Sequence, residues 1–178
     1  RANLIKADIW AKVIWGDIGN PALLASDLQE NYNIDLKDLL NVRTFLDHNR
    51  IWETPKTVSN DRISTSSGAF AHRGVWIKNN EVEDNLLEHL QKWSTYVQKF
   101  GLLIIELHTI PPEITANNLG NTAATAYDAT HGFSDQYIVE IDVLHKVAAE
   151  VGLFPDPLYF KKFPNTNYAT VSINLLKG

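Results

Sequence analysis

The sequence contains no cysteine and no methionine among its 178 residues. Without cysteine there are no disulfides, no thiolate nucleophile and no cysteine-held zinc or iron–sulfur centre. That composition fits a cytoplasmic location. No apolar run approaches the roughly 20 residues of a membrane-spanning helix, and no signal-peptide pattern opens the chain. There is also no block of Lys and Arg: the net charge of −5 is spread out, so neither nucleic acid nor a membrane surface is an expected partner. No repeat, low-complexity tract or linker divides the chain. With 44 % hydrophobic and 21 % charged residues it suits one domain over residues 1–178 with a sizeable core.

What is present alternates in period. Residues 11–15 form a short apolar run ending in Gly16-Asp17-Ile18-Gly19-Asn20-Pro21. This reads as a strand, a turn and a helix over residues 21–30 with proline in its first turn. Residues 38–46 are almost continuously apolar, as a central parallel strand would be. Residues 51–74 hold few apolar side chains and read as a flap or part of a lid. Residues 81–100 place Val82, Leu86, Leu87, Leu90, Trp93 and Val97 on one helical face. Gly101 ends that helix and an apolar strand over residues 102–107 follows. A helix is expected from Ser134 to Gly152, and the last two strands should pair antiparallel. The pattern predicts an α/β fold with a mostly parallel sheet, helices on both faces and a terminal antiparallel hairpin.

Candidate chemistry gathers near the ends of these strands, where open α/β sheets bind ligands. Residues 127–136, Tyr-Asp-Ala-Thr-His-Gly-Phe-Ser-Asp-Gln, are dense in side chains with lone pairs. His131 falls in the approach loop, Gln136 in the expected first helical turn, and His108 at the end of the strand over 102–107. Two His and a Gln can hold a metal, or can simply bond the loop and cap the helix. Asp17 can accept from a ribose hydroxyl or an adenine amine, or serve as a turn residue. Asp47, His48 and Arg50 can bind substrate or cofactor, or Asp47 and Arg50 can pair across a turn. Tyr127 can orient a substrate or accept its proton, or be a buried ring with its hydroxyl satisfied.

Four segments carry a resemblance: Val13-Ile-Trp-Gly-Asp-Ile-Gly-Asn-Pro21, Arg43-Thr-Phe-Leu-Asp-His-Asn-Arg50, Glu106-Leu-His-Thr109 and Ala126-Tyr-Asp-Ala-Thr-His-Gly-Phe-Ser-Asp-Gln-Tyr137. They resemble the C-methyltransferase domains of polyketide synthase loading modules, of the apratoxin and gephyronic acid type, which have the class I, Rossmann-like methyltransferase fold. The resemblance implies S-adenosylmethionine as cofactor, with Asp17, Ile18, Phe45, Leu46 and Asp47 lining its site. It implies a single iron or manganese ion on His108, His131 and Gln136, and Tyr127 and His131 as catalytic residues. It implies methylation of the α-carbon of a malonyl or other small acyl unit on an acyl carrier protein, beside neighbouring synthase domains. The family's glycine loop after its first strand is not in this sequence, and an N-terminal part of the fold is expected to precede Arg1. Two rival readings stay open. One is a metal-free O- or N-methyltransferase with His108 or His131 as general base. The other is a non-catalytic methyltransferase-fold scaffold.

Overall fold

The computed structural model describes residues 2–59, 61–128 and 130–178, with the side chains of residues 131 and 132 left out. In chain order the elements are α1 (Ala2–Lys6), α2 (Pro21–Tyr32), a 3₁₀ turn (Leu36–Asp38), β1 (Asn41–Thr44), β2 (Phe70–His72), β3 (Val75–Ile77) and α3 (Asn79–Ser94). Then follow β4 (Leu102–Leu107), α4 (Pro112–Asn117), α5 (Ala124–Asp128), α6 (His131–Ser134), α7 (Ile141–Glu150), β5 (Phe154–Pro155), β6 (Lys161–Phe163) and β7 (Val171–Lys177).

The main sheet runs β1-β4-β7-β5, with β6 also paired to β7, while β2 and β3 form a separate hairpin. β1 and β4 are parallel neighbours, Asn41 opposite Leu102 and Thr44 opposite Ile105. β7 runs antiparallel to β4, β5 and β6. The sheet is therefore mixed rather than mostly parallel. Residues 11–15 account for much of the difference: they form no strand, and Val13 and Trp15 stay exposed. An apolar run becomes a strand only where a neighbour accepts its backbone bonds, and no ladder reaches this one.

One face of the sheet carries Arg43, Leu102, Ile104, Glu106, Ser172, Asn174 and Leu176, all buried. Both long helices pack there. Trp93 of α3 lies 4.8 Å from the Arg43 guanidinium, and His145 of α7 bonds Asn174 at 2.7 Å. The opposite face, with Leu103, Ile105, Ile173 and Leu175, is only half-buried, and Val42 beside it is exposed. The expected helices on both faces thus reduce, for α3 and α7, to one covered face.

Local chemistry sets the boundaries. Asn20 caps α2 by accepting from Leu23 N at 3.2 Å, with Pro21 at the first helical position. Gly101 has φ +89°, and a Cβ there would lie 2.7 Å from the Leu176 carbonyl, so only glycine takes the chain so closely from α3 into β4. α7 begins at Ile141 rather than near Ser134. Residues 136–140 form neither helix nor strand, because tertiary bonds claim them: Tyr137 N donates to His48 O at 2.8 Å, and Val139 O meets His108 Nδ1 at 3.0 Å. Residues 51–59 and 61–69 lie as a strap over α3, held by carboxylates. Glu88 accepts from Lys56 N and Thr57 N, Asp84 from Ser59 N, and Arg62 reaches Asp84 and Glu150 at 2.6 Å each.

Candidate active site at the carboxyl ends of β1 and β4

β1 and β4 run side by side, so the end of β4 and the residues just past the two strands, 45–50 and 108–110, converge on one edge of the sheet. Glu106 is the last inward-facing residue of β4. It is buried inside an otherwise apolar strand, and such a charge needs partners. They come from 58 residues away. His48 Nδ1 lies 2.5 Å from Glu106 Oε1, and His48 N donates to Oε2 at 3.1 Å. Leu107 N adds a third bond at 2.7 Å. The carboxylate thereby fixes the imidazole with its proton on Nδ1 and Nε2 free to accept. His48 is buried, with 3 % of its side chain exposed, and no hydrogen bond among the described residues reaches Nε2. A carboxylate on one ring nitrogen, with the second nitrogen not bonded by a described residue, is an arrangement a general base can use.

Beside this pair lies a second buried group. Asp47 Oδ1 is 3.2 Å from Arg43 Nη1 and 3.1 Å from His89 Nε2. Burial alone would raise the Asp47 carboxyl, but Arg43, His89 and Arg50 outweigh it and bring it down to about 2. Arg50 donates to Asn85 Oδ1 at 2.6 Å and to Asp47 O at 2.9 Å. Its burial lowers it to about 10, against the pull of Asp47 and Glu106. Two guanidiniums thus balance two carboxylates. Arg43 Nε and Nη2 and Asp47 Oδ2 remain buried without partners.

Two cavities flank the edge and share Asp17. One, of about 280 Å³, is lined by Asp17, Ile18, Asn49, Arg50, Glu53 and His89 among others. The other, of about 410 Å³, is walled by Trp15, Leu23, Leu24 and Tyr32, with Asp17 and Asp27 also lining it. Asp17 Oδ1 accepts from Gly19 N at 2.8 Å, a turn that fixes its carboxylate, and Trp93 Nε1 holds Ile18 O at 2.7 Å. An aromatic and aliphatic cleft with carboxylates at its margin suits a nucleoside, whose base is apolar on its faces and whose ribose donates hydroxyls.

The structure therefore brings Asp17 and Ile18 to one cavity, although Asp17 leaves a turn rather than a strand end. Phe45, with φ +55°, and Leu46 are exposed at the tip of β1. Asp47 faces away from both cavities into its ion pairs. Tyr127 donates to the His108 carbonyl at 2.5 Å, and burial raises its phenol further above neutrality. His108 is wholly buried, with Nδ1 on Val139 O and Nε2 on Ser172 Oγ at 2.6 Å. Burial lowers it to about 4. Gln136 does not sit in a first helical turn: it lies in the non-helical segment before α7 and donates to Asn49 Oδ1 at 3.0 Å. The His131 side chain lies outside the described residues. Among the described residues no three His, Cys, Asp or Glu side chains gather as metal ligands, and His108 has no free nitrogen to offer. The donors described do not fit an iron or manganese centre.

The sequence pattern missed the His48–Glu106 pair. The available signal was one carboxylate inside an apolar strand, which demands a cation or donors.

A family model, that of the AprA MT2-like domain, matches residues 1–174. No curated protein matches the chain.

Proposed function

We propose that this chain, which belongs to the AprA MT2-like family of methyltransferase domains, methylates the α-carbon of an acyl unit carried on an acyl carrier protein, with His48 as general base. The observation that carries the reading is the buried, Glu106-bound imidazole at the carboxyl edge of the sheet, whose Nε2 no described residue bonds. Methyl transfer to carbon needs a proton removed from a weak carbon acid, which oxygen and nitrogen nucleophiles do not require to the same degree. His48 Nε2 takes that proton, and Glu106 stabilises the imidazolium that results. When bound, S-adenosylmethionine supplies an electrophilic methyl group on a sulfonium and retains the S–CH₃ electron pair as a neutral thioether. The pair left on the α-carbon forms the new C–CH₃ bond. Asp17 and Ile18, with Asn49 and Glu53, would hold the cofactor, and Trp15 and Tyr32 offer its base an apolar cleft. No step is routed through a metal, because His108 would first have to give up Ser172 or Val139.

The test is methyl transfer from labelled S-adenosylmethionine to an acyl carrier thioester, read by mass and by the site of the new methyl group. His48→Gln should lower the rate about 10²–10⁴-fold while S-adenosylmethionine binding is retained. A full rate in His48→Gln removes the base. A methyl found on oxygen or nitrogen favours the rival reaction class, and full loss of activity with a chelator, with metal in the purified protein, restores the metal-assisted form.

A further inference from the structure

The sheet places one cation where the proposed function has no use for it. Lys162 of β6 pairs with Ser172 of β7, and Ser172 pairs with Glu106 of β4. The three residues form one cross-strand row, so Lys162 stands two strand spacings, about 10 Å backbone to backbone, from the carboxylate that holds His48. Lys162 is half-buried, and among the described residues it forms no ion pair. The same lysine lines two cavities. One, of about 270 Å³, opens beside Lys161, Phe160 and Phe163. The other, of about 260 Å³, runs from Lys162, Thr166 and Asn167 to Thr109 and Ile110, which follow β4 directly. Glu140 and Asp142 line this second cavity as well.

A lysine without an ion pair at the wall of a cavity offers its ammonium to an anion. The cavity leading inward from it mixes hydroxyl and amide side chains with Ile110, Pro111 and Ala169. Such a wall suits a chain that alternates amides with methylenes. Its carboxylates disfavour a second phosphate and can accept amide or hydroxyl protons.

We infer that Lys162 binds the phosphate of a phosphopantetheine arm, which then lies in the cavity from Asn167 to Thr109 and brings its thioester towards His48. The inference rests on the carrier-linked substrate proposed above. Lys162 is a binding residue in it, and the carrier protein then docks by the turn between β6 and β7.

The whole chain is titrated with phosphopantetheine, pantetheine and inorganic phosphate, with binding read by calorimetry or amide chemical shifts. Phosphopantetheine should bind about 5-fold more tightly than pantetheine, the yield of one partly exposed ion pair. Lys162→Ala should erase that preference while pantetheine binds as before, and Lys162→Arg should restore it. Equal affinity for the two arms, or a preference that survives Lys162→Ala, overturns the inference. A preference lost in Lys161→Ala but kept in Lys162→Ala assigns the phosphate to the other lysine and overturns it too, as does inorganic phosphate binding as tightly as the whole arm. No methyl donor is present, so the outcome is independent of the role of His48. Binding without methyl transfer would sink only the proposed reaction, and methyl transfer without arm binding only this site.

Discussion

Replacing Glu106 by Gln is nearly isosteric, yet the site cannot accommodate it. The carboxylate accepts three protons: from His48 N on Oε2, and from His48 Nδ1 and Leu107 N on Oε1. An amide has one oxygen and one NH₂. If the oxygen takes the Oε1 place, the NH₂ faces the His48 backbone N–H, and a buried donor loses its acceptor. If the amide turns over, its NH₂ meets Leu107 N–H and forces His48 Nδ1 to accept. The ring proton then moves to Nε2, which can no longer act as a base. Either way at least one buried donor is unpaired, at about 1–3 kcal/mol, and the charge facing Arg43 and Arg50 is lost. Denaturant unfolding should show a loss of about 2–4 kcal/mol, the upper part reflecting two buried guanidiniums left with the Asp47 carboxylate alone. Methylation by the folded fraction should fall at least 10²-fold. A variant with unchanged midpoint and unchanged rate would refute the reasoning. Lost stability with a full rate would leave Glu106 a structural residue alone.

Three further outcomes follow from neighbouring geometry. His108 is held at about 4 by burial against an ordinary 6.5, so the unfolded chain binds more protons in that window and stability falls as pH drops through it. The loss is about 3 kcal/mol, and Asp47, held at about 2, extends it to lower pH; a flat unfolding midpoint between pH 6.5 and 4.5 would contradict the buried neutral imidazole. Arg62→Ala removes the cation bonded to Asp84, leaving it Ser59 N, and one partner of Glu83, both carboxylates buried. It should cost about 3 kcal/mol, the low end for a broken buried pair because Lys146 and Ser64 still reach Glu83, and protease cleavage within residues 55–67 should quicken; unchanged cleavage would mean the strap is held elsewhere. Asp17→Ala removes the carboxylate shared by both flanking cavities and should weaken S-adenosylmethionine binding about tenfold, about 1.4 kcal/mol for a lost hydrogen bond to a charged group; equal affinity by calorimetry would take Asp17 out of the site.

Local pattern reached what local physics decides. α2 with its first-turn proline, β4 as a six-residue apolar run, the parallel direction of β1 and β4 and the antiparallel β6–β7 pair were legible in the sequence, although β1 lies at the sheet's edge rather than at its centre. Helical spacing also marked the buried face of α3, although its regular turns stop at Ser94. The misses were decided at a distance. Ile138 fits a helical period, but His48 bonds the backbone of Tyr137 and His108 that of Val139, and the segment stays out of the helix. Residues 11–15 have strand composition, but no ladder pairs with them. His108 and Gln136 read as ligands by type and place in the chain. Whether a ring nitrogen is free depends on Ser172, 64 residues on. His48 and Glu106 were each visible as polar residues at strand ends, but only the parallel register makes them one group.

The central claim is that His48 removes a proton from carbon, and proton exchange tests it without methyl transfer. The acyl carrier thioester is incubated with the protein in D₂O without methyl donor, and deuterium at the α-carbon is followed by mass. The wild-type chain should accelerate exchange well above buffer, and His48→Gln should return it to the buffer rate. Exchange in His48→Gln as fast as in the wild type would contradict the account.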